Sequence, residues 1–137
     1  MLRISKLSDY ATVILSYMAK NNQSVASATL IARELRIGTP TVSKILKKLV
    51  EKKLVVSFRG TVGGYQLNQS PETITIAAII AAVEGPISLT DCSRHDVACT
   101  LEDHCQIKGN WRLINNIILK TLNNYTLKDM LSLQVGT

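Results

Sequence analysis

The sequence predicts a mainly α-helical protein carrying one small β-hairpin, and three observations predict it. Apolar residues recur at helical spacing in residues 5–20, 28–35, 40–53, 75–85 and 108–125. Cap signals stand at the edges of these stretches: Ser27, Thr39-Pro40, Thr75, Gly85 and Thr126. The one interruption is "LVVSFRGTVGGYQLNQ", where apolar and polar residues alternate on both sides of a glycine-rich centre. With 137 residues and 46% hydrophobic content the chain can bury a real core. Aromatic residues make up only 4%, so that core must be built from Ile, Leu, Val and Ala.

The elements follow in order. The first helix buries Leu7, Tyr10, Ala11, Ile14, Leu15 and Met18 on one face, and "KNNQS" ends it. The second runs over about Ala28 to Leu35 behind a Ser27 cap, and "RIGT" makes a short turn. Thr39 is placed to cap the third helix, with Pro40 at its first position, where a missing N–H costs nothing. That helix, "PTVSKILKKLVEKK", has the apolar stripe Val42, Ile45, Leu46 and Leu49 and carries its lysines mostly off it. The hairpin places "RGTVGG" at a flexible basic tip. Thr75 opens a fourth helix that Gly85 ends, with Pro86 beyond. A polar loop with a short helical turn is expected next. A long amphipathic helix then carries Trp111, Ile114, Ile117, Ile118, Leu122 and Tyr125, and Thr126 caps a last short one.

Two short helices, a tight turn, a basic second helix and a hairpin compose a winged helix-turn-helix. Ile31, Ala32 and Leu35 form the inner face of its first helix, Ile37 plugs the turn, and Val42 and Ile45 seat the second helix. Arg36 stands where many such turns have Gly. Charge supports the same reading. Residues 33–60 hold eight Lys or Arg against Glu34 and Glu51, so this segment carries the whole net charge of +6. A positive field focused on one segment points to a polyanion, against the plainer reading of a solvated helix face. In this motif the N-terminal part of the second helix enters the major groove. Thr39, Thr41, Ser43 and Lys44 are then the candidates for bases and nearby phosphates, with Lys47 and Lys48 on the backbone. At the wing, Arg59, Thr61, Gly63, Gly64 and Tyr65 are the candidates for minor-groove contact.

All three cysteines fall within "DCSRHDVACTLEDHC", at Cys92, Cys99 and Cys105. An odd number argues against a disulfide framework. The gaps of six and five residues match neither zinc-knuckle pairs nor a C-x-x-C redox motif. They suit a loop around something larger than one metal ion, such as an iron–sulfur cluster with a fourth ligand from elsewhere. Burial as small hydrophobes fits poorly, because the neighbours are Asp91, Arg94, His95, Asp96, Glu102, Asp103 and His104. No nucleophile–base arrangement has a recognisable setting, so no enzyme is expected.

Taken together, "MLRISKLSDYA", "PTVSKILKKLV", "RGTVGGYQL", "AAVEGPI" and the three-cysteine loop resemble the BadM/Rrf-type winged-helix regulators, the family of IscR, NsrR and RirA, over nearly the whole chain. "TVSKILKKL", "GPISLTDCS" and "NWRLIN" look closest to regulators of the SUF iron–sulfur assembly operon. The resemblance implies a homodimer on a palindromic double-stranded DNA operator. It also implies a 2Fe–2S or 4Fe–4S cluster on Cys92, Cys99 and Cys105, probed by the cell as iron–sulfur status, and a repressor of assembly genes. IscR-like members place a His where this chain has Lys108, which is no ligand. NsrR-like members use an Asp in the N-terminal helix of the other subunit, and Asp9 matches it; Glu102 and His104 are local alternatives. The competing functions are a winged-helix regulator that senses oxidation or nitrosative stress directly through its thiols, and a zinc-binding adaptor.

The organisation expected is a DNA-binding unit at residues 1–85, a cluster-binding loop at 86–107 and a dimerisation helix with tail at 108–137. No apolar run reaches the roughly 18 residues of a membrane span, and the N-terminal stretch reads as an amphipathic helix of a cytoplasmic protein.

Overall fold

The computed structural model describes residues 2–132. Its helices are α1 (Lys6–Lys20), α2 (Ala28–Leu35), α3 (Thr39–Glu51), α4 (Ile76–Glu84), α5 (Lys108–Asn124) and α6 (Leu127–Ser132). The strands β1 (Val55–Phe58) and β2 (Gly64–Leu67) lie between α3 and α4, and a short 3-10 turn spans Asp91–Ser93. Mainly α structure with a hairpin wing is thus what the chain forms. No helix among the described residues is long and apolar enough to cross a membrane.

Local chemistry sets most boundaries. Ser5, Ser27 and Thr75 each accept a backbone N–H in the first turn of α1, α2 and α4. Thr126 and Asp129 cap α6 reciprocally: the Asp129 N–H donates to Thr126 Oγ1, and the Thr126 N–H to Asp129 Oδ2. The start of α3 departs from the sequence expectation. Gly38 holds the cap position, Thr39 is already helical, and no side chain caps the first turn. Pro40 fits this start, because it has no N–H and so leaves one fewer donor of the first turn without a partner. The end of α3 also comes earlier, at Glu51. Lys53 turns left-handed (φ 62°), and the Leu54 N–H closes back on the Leu49 carbonyl so that Leu54 enters the core. Arg36 does the work of the missing turn glycine with φ 58°, and Ile37 N–H bonds Ala32 O.

The core gathers Ile14 and Leu15 of α1, Ile31 of α2, Val42, Ile45, Leu46 and Leu49 of α3, and Ile79 of α4. β1 and β2 pair antiparallel, with Val55 opposite Leu67 and Phe58 opposite Gly64. A further rung ties Tyr65 to Ala26, just ahead of α2, through bonds of 3.0 and 2.8 Å. A Cβ at Gly64 would stand 2.5 Å from the Ala26 carbonyl oxygen, so this approach requires glycine. At the far end Leu127 is fully buried beside Ile74, and Thr75 and Thr126 form a bridge, so the chain returns to the core after α5.

Candidate nucleic-acid interface and cysteine loop

One face of α3 is committed to the core, which leaves Thr39, Lys44 and Lys47 exposed and Thr41 and Ser43 half-buried beside them. Among the described residues no ion pair neutralises Lys44, Lys47 or Arg59. The uncapped first turn of α3 adds its backbone N–H groups and the positive end of the helix dipole to that surface. At the wing tip Arg59 and Thr61 are exposed, Val62 is 88% exposed, and Gly63 N–H closes a turn on Gly60 O.

Three of the residues read from sequence as DNA contacts have structural partners. Lys48 turns inward and donates to the Val83 carbonyl at 3.0 Å. Gly64 lies against Ala26, and Tyr65 packs half-buried against the core. The outward set is therefore Thr39, Thr41, Ser43, Lys44, Lys47, Arg59 and Thr61, with Gly63 shaping the tip. A Cβ on Gly63 would lie 2.4 Å from the Phe58 carbonyl oxygen.

The cysteine loop is fastened to α5 at two points. Arg112 donates from Nε to the Cys92 carbonyl and from its terminal nitrogen to Glu102 Oε1, both at 2.7 Å. One turn on, the buried Asn115 accepts the Leu89 N–H at 2.9 Å. Neither residue stands out in the sequence; the only signal is an Asn amid the apolar spacing of "NWRLINNIIL". Cys92 is buried, with Thr90 Oγ1 3.1 Å from its sulfur. Cys99 and Cys105 are half-buried, and all three are free thiols. Beside Cys92 a cavity of about 290 Å³ is bounded by Ser93, Arg94, His95, Arg112 and Asn115. The Arg94 guanidinium bonds the Asp96 carboxylate and holds it below the usual carboxylate range.

Three unpaired thiols in one loop are the donor chemistry an iron–sulfur cluster takes. The conformation does not bring them together: among the described residues no three His, Cys, Asp or Glu are gathered closely enough to hold a metal ion. Of the other candidates, Glu102 is engaged by Arg112, His104 is exposed, and Asp9 is exposed in the first turn of α1.

The long amphipathic helix α5 turns much of its apolar stripe outward. On α5 the one buried residue is Asn115, while Trp111, Leu113, Ile114 and Ile117 are exposed, Leu113 to 60% and Ile117 to 56%. Ile118 and Leu122 are half-buried, facing a groove of about 360 Å³ that Leu2, Ile4 and Ile80 also line.

The sequence profile described as "Rrf2: Iron-dependent Transcriptional regulator" matches residues 4–132. The HTH-type transcriptional regulator NsrR of Halalkalibacterium halodurans is 28% identical over 133 residues, which are 96% of this chain and 91% of that protein. The structure of CymR, the global cysteine regulator of B. subtilis, superposes with a TM-score of 0.72 at 28% identity, covering 96% of this chain and 98% of the other. T. potens IscR shares the fold, with a TM-score of 0.74 at 24% identity over 99% of this chain and 93% of that one.

Proposed function

The chain belongs to the Rrf2 family of transcriptional regulators, and on that premise we propose that it is a dimeric repressor of iron–sulfur assembly genes that senses cluster status through its cysteine loop. It is a DNA-binding regulator and not an enzyme, as its relatives are. The observation that carries the finer reading is placement. The loop holding all three thiols is fastened through Arg112 and Asn115 to α5, and α5 packs on α4, which in turn packs on the reading helix α3. A change of state in the loop thus has a short path to the DNA surface.

Cys92, Cys99 and Cys105 would hold the cluster, with Asp9 of the partner subunit the first candidate for the fourth ligand. The cluster would supply a reversible change of loop conformation. The chain's own residues do the rest: Lys44, Lys47 and Arg59 draw in a palindromic duplex, and Thr39, Thr41 and Ser43 meet it at the groove. The outward apolar stripe of α5 supports a two-fold dimer, since monomers rarely leave such a face to water. The SUF-type target rests on the resemblance of "GPISLTDCS" and "NWRLIN".

Anaerobic reconstitution with iron and sulfide tests the cluster. Wild type is expected to turn coloured with iron and sulfide bound in stoichiometric amount, and Cys99→Ser to lose most of that absorption. Equal absence of colour in both sinks the cluster reading. A second reading has its own support: three free thiols that are not gathered, in a chain similar to a cysteine regulator. In that case mild peroxide on metal-free protein changes both its mass and its operator affinity. Host genome fragments enriched by the protein should map ahead of iron–sulfur assembly genes; enrichment elsewhere removes the SUF target.

A further inference from the structure

The two adjacent lysines of α3 part ways. Successive helical residues point roughly 100° apart. Lys47 faces outward with no ion pair among the described residues, whereas Lys48 reaches back to the Val83 carbonyl at 3.0 Å. Val83 lies in the last turn of α4, where carbonyls have no partner within the helix and the dipole favours a cation. No basic residue of α4 itself occupies that turn, so Lys48 supplies the charge from the neighbouring helix. The next residue, Glu84, accepts a hydrogen bond at 2.8 Å from Ser8 of α1. Ser8 is one of only two buried polar or charged residues among those described, and this bond satisfies its hydroxyl.

Resting on the DNA-binding reading, we infer that Lys48 is a positioning residue rather than a phosphate contact. Lys48, the end of α4 and Ser8 form a polar strut from the reading helix to the first turn of α1, and the strut sets the pose in which α3 meets DNA. Around it, α1, α3 and α4 pack largely through apolar side chains, whose contacts are less directional than hydrogen bonds. The strut therefore fixes the rotation of α3 about its own axis, on which the aim of Thr41, Ser43 and Lys44 depends. It also joins α3 to the turn that carries Asp9, next in sequence to Ser8.

The test begins by selecting duplexes from a random-sequence pool with the wild-type protein. Affinity for the best duplex is then measured across a range of salt for wild type, Lys47→Ala, Lys48→Met, Lys48→Arg, Ser8→Ala and the Ser8→Ala/Lys48→Met double variant. Lys47→Ala should reduce the slope of log affinity against log salt by about 1, as one lost phosphate contact does. Lys48→Met and Ser8→Ala should each weaken binding by about five-fold or more with the slope unchanged, the scale of one lost hydrogen bond. Lys48→Arg should recover most of the loss, and the double variant should lose less than the product of the single losses, since both cut one strut. A reduced slope in Lys48→Met overturns the inference, because it makes Lys48 a direct contact. Losses that multiply in the double variant overturn it too. Should Lys48→Met not fold, Ser8→Ala decides: wild-type affinity in that variant ends the proposal. A pool that yields no enriched duplex defeats the DNA-binding reading itself, and this inference with it.

Discussion

Arg112 holds both sides of the cysteine loop with one guanidinium, bonding the Cys92 carbonyl and the Glu102 carboxylate. The ion pair is half exposed, so water and salt screen most of its Coulombic value. The bond to the Cys92 carbonyl is equally short at 2.7 Å but better sheltered, and it carries more of the tether. In metal-free Arg112→Met, amide exchange across residues 92–102 should rise by roughly ten-fold, while exchange in α3 stays as in wild type. Unchanged protection of the loop would show that Asn115 and Cys92 burial hold it alone. This residue was not legible in the sequence. A lone arginine one turn into a helix looks the same whether it points at solvent or at a carbonyl twenty positions earlier. The same holds for Lys48, whose partner lies thirty-five positions away.

At the scale of elements, α5 is the helix whose exposure calls for explanation. Its apolar residues follow helical spacing, as the sequence indicates, yet the side turned to its own subunit is marked by Asn115. A stripe that includes Trp111, Ile114 and Ile117 in water loses the hydrophobic gain of burial, roughly 1.5–3 kcal/mol for each large side chain. A second copy of the chain recovers it. Ile117→Glu puts a charge in the middle of that stripe, and sedimentation should then give about half the wild-type mass with an unaltered helical spectrum. A dimer that survives the substitution would move the interface elsewhere. The starts of α2, α4 and α6 are legible in the sequence. Ser27, Thr75 and Thr126 cap as their residue types indicate, because capping depends on atoms within three residues. Thr39 departs from that rule since Gly38, with φ −58° and ψ 135°, already sits in cap geometry one residue earlier.

For the whole molecule, the return of α6 to the core is what makes one body of the described chain. Leu127 is wholly buried among residues that include Ile74, and α6 packs on α1. The segment after α5 is therefore part of the fold's stability and not an appendage. Leu127→Ala should cost roughly 2–5 kcal/mol, a large share of a small domain's total. Urea unfolding checks it: the midpoint should fall with little change in slope. A loss under about 0.5 kcal/mol would mean that the site behaves as surface, which full burial forbids.

The sequence by itself determined the winged helix-turn-helix, the helix count and the clustering of thiols and charge. Periodicity, caps and turn residues are local, and local rules need no knowledge of neighbours. Only the tertiary structure decided direction. It turned Lys48 toward α4, laid Gly64 and Tyr65 on Ala26, fastened Cys92 to Arg112 and aimed Trp111, Ile114 and Ile117 of α5 away from its own core. Each of these depends on which helix or strand lies beside the residue, and that is set by packing between segments distant in the chain.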